Sequence, residues 1–243
     1  MLAACGRVGF DPLAGAPDAA VGADGRDGAG ADALPADLVA YFPLDGTLVD
    51  LVGGPAGMCS AVECPVAQVA GHLSAAMRFD GIDDCVSIQD VGQFDQANIT
   101  ISIWANEDGP LAARECQVSK RVDVGATPLN SWQLETTGTA AQEAFTSNHG
   151  GPGNDQIPSS LTSIQPGVWQ HIVATYDGLN ERLYIDGVQA SGAGNSSPLN
   201  YDSNPGIIGC DDNGGASEHF AGMLDELRIY NRALSPAEAQ ALP

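Results

Sequence analysis

The chain has 243 residues, 44% of them apolar, with 30 glycines and 15 prolines, so it can fill a core and still make many turns. Its formal net charge is −22, and Lys120 is the only lysine. Such a surface repels phosphate backbones and anionic headgroups, which excludes nucleic-acid binding and leaves a membrane reachable only through an attached lipid.

Leu2-Ala3-Ala4-Cys5-Gly6 resembles the lipobox of bacterial lipoproteins, in which the cysteine becomes the lipidated first residue after cleavage. It departs from that pattern in having only Met1 ahead of it, where a signal peptide has a basic start and an apolar stretch. The expectation is a lipid on Cys5 and export to the bacterial cell envelope, against the alternative of an incidental thiol. Residues 6–36 are nearly all Gly, Ala, Asp and Pro, and such a segment cannot bury enough apolar surface to offset its ordering entropy. Residues 1–37 therefore read as a lipobox-like start and a tether, and 38–243 as one domain.

Export places the thiols where disulfides persist. Cys59 and Cys64, separated by Ser-Ala-Val-Glu in a loop bounded by Gly and Pro, read as a local staple. Cys116 and Cys210 each fall near a predicted strand and read as a second pair, leaving Cys85 as a buried thiol that acts as a small hydrophobe. There is no C-x-x-C, and His72, His149, His171 and His219 do not cluster with the cysteines, so none has metal-site spacing.

From Leu38 onward about a dozen short runs read as strands, among them Met77–Phe79, Cys85–Ile88, Ile99–Ala105, Cys116–Lys120, Trp132–Glu135 and Gly206–Gly209. Ile99, Ile101 and Ile103 share one face of their run, and Thr100, Ser102 and Trp104 share the other. Phe79-Asp80-Gly81-Ile82-Asp83-Asp84 gathers carboxylates that suit a cation, but the pattern reads first as a turn whose Asp side chains hold local donors. Trp132 alternates with Ser131 and Gln133, which makes it a candidate sugar-stacking platform, while Trp104 and Trp169 read as core residues. Two loops rich in Asn, Asp and Gly suit Ca²⁺ or sugar hydroxyls, as they suit any solvated turn. They are Thr146–Asp155, with His149, Asn154 and Asp155, and Asp211–Gly215, with Asp212 and Asn213.

Gly167–Ala190 reads as a β-meander. Val168–Tyr176 is β-branched and aromatic, Asp177-Gly178-Leu179-Asn180 is turn chemistry, Leu183–Ile185 is a second strand, and Asp186-Gly187 leads to a third at Val188. One helix is predicted, Ser235–Leu242, with Ser235 as N-cap, Pro236 in the first helical position and Glu238 completing a capping box.

Six of these pieces occur in one order: Tyr41–Gly46, Phe79–Asp84, Ile101–Trp104, Gly167–Gly178, Leu183–Gly187 and Leu224–Ser235. Together they resemble the laminin-G-like jelly-roll domain of the concanavalin A-like lectin/glucanase fold, over about residues 38–243. Cys85 is a departure, since the family shows an aromatic residue after the paired Asp. The resemblance implies an all-β, two-sheet antiparallel jelly-roll sandwich with one short C-terminal helix.

If Phe220–Tyr230 is one regular strand, Met223, Asp225, Leu227 and Ile229 point to one side and Asp225 lies in register with core residues. An unpaired charge there costs several kcal/mol, so Asp225 must be hydrogen-bonded, paired or bound to metal. The resemblance sets the first and last strands side by side, with the loop Asp45–Gly54 near Asp225. Asp50, Asp225 and Asp45, with backbone carbonyls, then make a hard-oxygen site for a structural Ca²⁺. The alternative is that Asp225 accepts backbone N–H groups and Asp50 caps a turn.

Glycoside-cleaving relatives need paired carboxylates on one strand, in an E-x-D-x-x-E type run, and no such run exists here. Glu107 and Asp108 are adjacent, no G-x-S-x-G, H-E-x-x-H or P-loop occurs, and His171 belongs to the family's W-x-H packing pattern. The expectation is a non-catalytic envelope module that recognises carbohydrate or glycoprotein. The alternatives are a structural or adhesion domain contacting another protein and, less well supported, an atypical glycoside hydrolase.

Overall fold

Apolar alternation broken by turn pairs gives fifteen strands and one helix among the described residues. The structure, a computed structural model, describes residues 34–68, 70–109, 114–137, 141–150, 155–156, 163–211 and 218–242, without the side chains of Gln68, Asp155 and Gln156. The first sheet runs β13 (Val188–Gly194), β12 (Asn180–Ile185), β11 (Gln170–Tyr176), β6 (Ile99–Glu107), β15 (Ala221–Tyr230), β4 (Ala76–Asp80), β3 (Val66–Gln68), and β1 (Leu38–Phe42) also pairs with β15. The second runs β10 (Asp155–Gln156), β9 (Gln142–Ser147), β8 (Thr127–Thr137), β7 (Glu115–Val124), β14 (Gly206–Ile208), β5 (Val86–Ile88), β2 (Gly57–Met58). Neighbours pair antiparallel throughout the described residues, which is the expected sandwich.

The meander forms as its turn residues require. Asp177 Oδ1 accepts the N–H groups of Leu179 at 2.9 Å and Asn180 at 2.7 Å, which closes the β11–β12 turn. Asp186 and Gly187, at φ 50° and 74°, make the β12–β13 hairpin, whose tight turn needs the left-handed region at both positions. Helix α1 (Pro236–Ala241) carries both halves of its capping box: Ser235 Oγ accepts the Glu238 N–H, and Glu238 accepts the Ser235 N–H.

Ile99, Ile101 and Ile103 of the first sheet meet Trp132, Leu134 and Phe145 of the second, all fully buried. Phe94 stands edge-on to Trp132 at 6.2 Å, and Phe79 to Phe220 at 6.2 Å. Burying one such side chain contributes about 2–3 kcal/mol. Trp132 is thus a core residue with no exposed ring face, which corrects its reading as a sugar platform. Alternation did separate it from Ser131 and Gln133, but the inner side is its own.

Strand β15 is not regular. Asp225 pairs with Trp104 and Arg228 with Ser102, so Glu226 and Leu227 together oppose Ile103. This is a β-bulge, with Glu226 at φ 56°. It leaves Leu224, Leu227 and Ile229 in the core and turns Asp225 to the outward face beside Trp104. The expected placement of Asp225 among core side chains is corrected accordingly.

Cys59 and Cys64 form the expected disulfide. The second bridge joins Cys85 to Cys210, with Cα atoms 5.3 Å apart, and Cys116 is a buried free thiol, which corrects the Cys116–Cys210 pairing. The cause is topological. Strand β14 lies between β5 and β7, so Cys210 has neighbours on both sides, and the bridge goes to the β5 side.

Candidate functional site

The bulge brings Asp225 against the loop 71–75. The Leu73 N–H donates to Asp225 Oδ2 at 2.9 Å, and the Ala75 N–H donates to Asp45 Oδ1 at 2.9 Å. Gly71 is required there, because a Cβ would lie 2.1 Å from the Ala75 carbonyl oxygen and 2.8 Å from Asp225 Oδ2. Asp225 Oδ1 is buried and has no hydrogen-bond partner. Burial pushes the Asp225 carboxyl up to about 7; the charges of Glu226 and Asp45 add to this, and the amides of Leu73 and His72 oppose it. Two carboxylates, one with an orphaned buried oxygen, are a donor set that fits a hard cation such as Ca²⁺.

Asp50 is elsewhere. Its Oδ1 accepts the amides of Tyr41 and Val52 at 2.9 Å each, and its Oδ2 accepts that of Gly54 at 3.1 Å. That is the turn cap held open as the alternative, and the carboxylates brought near each other are Asp45 and Asp225. Among the described residues, the acidic group whose oxygens lie within 4.8 Å of one another is Asp80, Asp83 and Asp84. These serve a turn: Asp80 Oδ1 accepts the Ile82 N–H at 2.8 Å, and Asp84 Oδ2 accepts the Asp80 N–H at 2.7 Å.

An aromatic column stands beside Asp225. The His72 ring stacks on Trp104 with centroids 3.3 Å apart, and His171 stacks on Trp104 at 4.8 Å. Trp169 meets His72 edge-on at 6.2 Å. His171 Nε2 lies 2.8 Å from Ser102 Oγ, and burial, helped by Arg228 and His72, pushes its imidazole down to about 4. Trp104 and Trp169 are half-buried on the outward face rather than in the core.

His149 does not face a ligand: its side chain is 3% exposed, with Nε2 2.7 Å from Glu181 Oε1 and 3.0 Å from Ser147 Oγ. Asp155 pairs with Ser147 through β10. Asn154, Asp212, Asn213 and Cys5 lie outside the described residues.

Two features escaped the sequence reading. Between the sheets, Gln117 Nε2 lies 2.7 Å from Glu107 Oε1, 2.9 Å from Thr136 Oγ1 and 3.1 Å from Glu143 Oε2. Burial pushes the Glu107 carboxyl up to about 7 and the Glu143 carboxyl well above its usual range. On the outward face of the second sheet, Ser87, Ile207, Ser119, Gln133 and Thr146 stand in one cross-strand row from β5 to β9. At the β5 end a groove of about 370 Å³ opens, lined among others by Ser87, Ile207 and Arg121. Alternation marks each run as two-faced but does not say which strands adjoin.

The sequence family Laminin_G_3, described as the concanavalin A-like lectin/glucanases superfamily, matches residues 80–240. The chain belongs to this superfamily. No curated protein matches it by sequence. Among solved structures, domain 4 of AbnA, a GH43 extracellular arabinanase from Geobacillus stearothermophilus in complex with arabinotriose, is 19% identical with a TM-score of 0.66, over 84% of this chain and 97% of that one. The binding domain of Paraclostridial Mosquitocidal Protein 1 is 18% identical with a TM-score of 0.67, over 84% of this chain and 51% of that one. Trypanosoma rangeli sialidase with 2,3-difluorosialic acid is 16% identical with a TM-score of 0.63, and this chain spans 34% of it. These likenesses show a superfamily fold shared by binding domains and by enzyme chains. The two disulfides agree with an exported protein, and no helix among the described residues is long and apolar enough to cross a membrane.

Proposed function

We propose that the chain is an exported, non-catalytic carbohydrate-recognition module whose sandwich is pinned by a calcium ion at Asp45 and Asp225. The observation that carries it is the disposition of carboxylates on a fold shared with an arabinotriose-bound domain. Among the described residues, Glu107 and Glu143 are sealed between the sheets, Asp50 is held by three amides, and Asp80 and Asp84 hold their own turn. A glycoside-cleaving pair must flank a bond the substrate can reach, and these do not. Calcium would supply charge compensation to Asp45 and Asp225 and tie the first-strand loop to the last strand. Residues 1–37 act as the tether, with a lipid on Cys5 holding the module at the cell envelope.

A glycan array run with and without EDTA, beside an assay for released reducing ends, tests the reading. Glycan binding without release supports it; release would restore the hydrolase. Val49, Leu51 and Val52, at 50%, 53% and 40% exposure in one loop, favour a protein-contacting adhesion domain as the second reading. An array without signal would favour that second reading.

A further inference from the structure

We propose that the groove of about 370 Å³ at the β5 end of the outward row binds a neutral oligosaccharide, an inference that rests on the recognition reading above. Its size is within the range of small-molecule sites, about 300–1,000 Å³. Its lining has two characters. Met58, Pro205 and Ile207 offer apolar surface, and Ser87, Glu63 and Arg121 offer hydroxyl, carboxylate and guanidinium. A sugar ring has the same two characters, a C–H face and a rim of hydroxyls that both donate and accept.

The walls are fixed before a ligand arrives. Cys59 and Cys85 both line the groove, and each is held by its own disulfide, to Cys64 and Cys210. The Cys85 N–H also donates to the Glu63 carbonyl at 2.9 Å, which ties the loop of the first bridge to that of the second. Preorganised walls lose less entropy on binding. Beyond Ile207 the row continues through Ser119, Gln133 and Thr146, which are buried, so the proposed site ends at the groove itself. Neutrality follows from charge: Glu63 stands in the groove with Arg121, and the chain carries −22, so an anionic sugar is repelled at long range.

Isothermal titration of the full chain with arabinotriose, xylotriose, cellotriose and trigalacturonate tests this at low salt. At least one neutral trisaccharide is expected to bind, with trigalacturonate at least tenfold weaker. Ser87→Trp, which fills the groove, and the milder Arg121→Ala are each expected to weaken binding about tenfold or more, since a hydrogen bond to a charged group carries at least that much. Val188→Trp, on the β13 edge beside a different cavity of about 410 Å³, is expected to keep wild-type affinity. Melting curves confirm that each variant folds. Wild-type affinity in both groove variants, loss in Val188→Trp alone, or tighter binding of trigalacturonate overturns the groove and leaves the module standing. A wild-type chain that binds none of the four sugars overturns the groove, and silence on the glycan array as well overturns the module.

Discussion

The corner at Asp225 and the interior around Glu107 both bury carboxylates without a basic hydrogen-bond partner among the described residues, yet they solve the problem differently. Around Asp225 and Asp45 the donors are backbone amides of one loop, and an oxygen of Asp225 is left over. Around Glu107 and Glu143 the donors are the Gln117 amide and the Thr136 hydroxyl, enclosed between two sheets, and Glu107 Oε2 and Glu143 Oε1 are left over as well. The difference lies in the surroundings: Asp225 sits under one loop beside the half-buried Asp45, where an ion can compensate both, whereas a carboxylate sealed between two sheets is neutralised by a proton. Asp50 marks a third case, in which amides alone suffice.

The largest test of this contrast is Asp50→Ala. Three backbone amides lose their acceptor, and an unsatisfied buried donor costs about 1–3 kcal/mol, so the loss is expected at about 4 kcal/mol and independent of calcium. Chemical denaturation measures it. A cost under about 1 kcal/mol would show that water replaces the carboxylate freely and that the turn is not held by it.

Calcium is the next largest effect. A ligand at a hundredfold excess over its Kd stabilises by about 2.7 kcal/mol. In a domain of this size that is roughly 5–10 °C in Tm. Asp225→Asn should abolish the shift and Glu143→Gln should keep it. Because the metal-free Asp225 carboxyl sits at about 7, a proton competes with the ion, and the shift should shrink as pH falls below about 7. A response that survives Asp225→Asn would place any ion elsewhere.

The sequence revealed more of the sheets than of this corner. Residues Ile99 to Ile103, the Asp-Gly hairpin and the Ser235 capping box act locally, so each was readable where it stands. Asp225 was readable as anomalous, but its true direction depends on a bulge at Glu226, a residue type that gives no sign of a positive φ. Asp45 and the loop at Gly71 meet only because β1 and β4 flank β15. The same dependence on strand order hid the Cys85–Cys210 bridge and the cross-strand row beside it. A period of two gives two faces to every strand and names neither neighbour.

The interior pair gives an effect of the same order as calcium's, through pH. Glu107 has a folded value of about 7, above its unfolded value near 4.5, so the folded state holds the extra proton between them. Stability is therefore full below about 4.5 and is lost as pH rises through 7, by up to about 3 kcal/mol for this residue. Glu107→Gln should flatten that slope, read from denaturation midpoints at pH 5 and pH 8. An unchanged slope would assign the loss to other groups.

The smallest effect is expected where carboxylates crowd most closely. Asp80, Asp83 and Asp84 bring three carboxylates within 4.8 Å of one another, and proximity alone would make them the metal site. Burial argues otherwise: Asp80 and Asp83 are exposed, and the N–H of Ile82 is the main cause holding the Asp80 carboxyl below its usual range, so the turn satisfies it without an ion. Asp83→Ala should change stability by about 0.5 kcal/mol or less, as exposed substitutions do, and leave the calcium shift at its wild-type size. If that shift instead vanished with Asp83, crowding rather than a buried carboxylate beside the half-buried Asp45 would be what selects the ion, and the contrast between the two buried regions would lose its metal half.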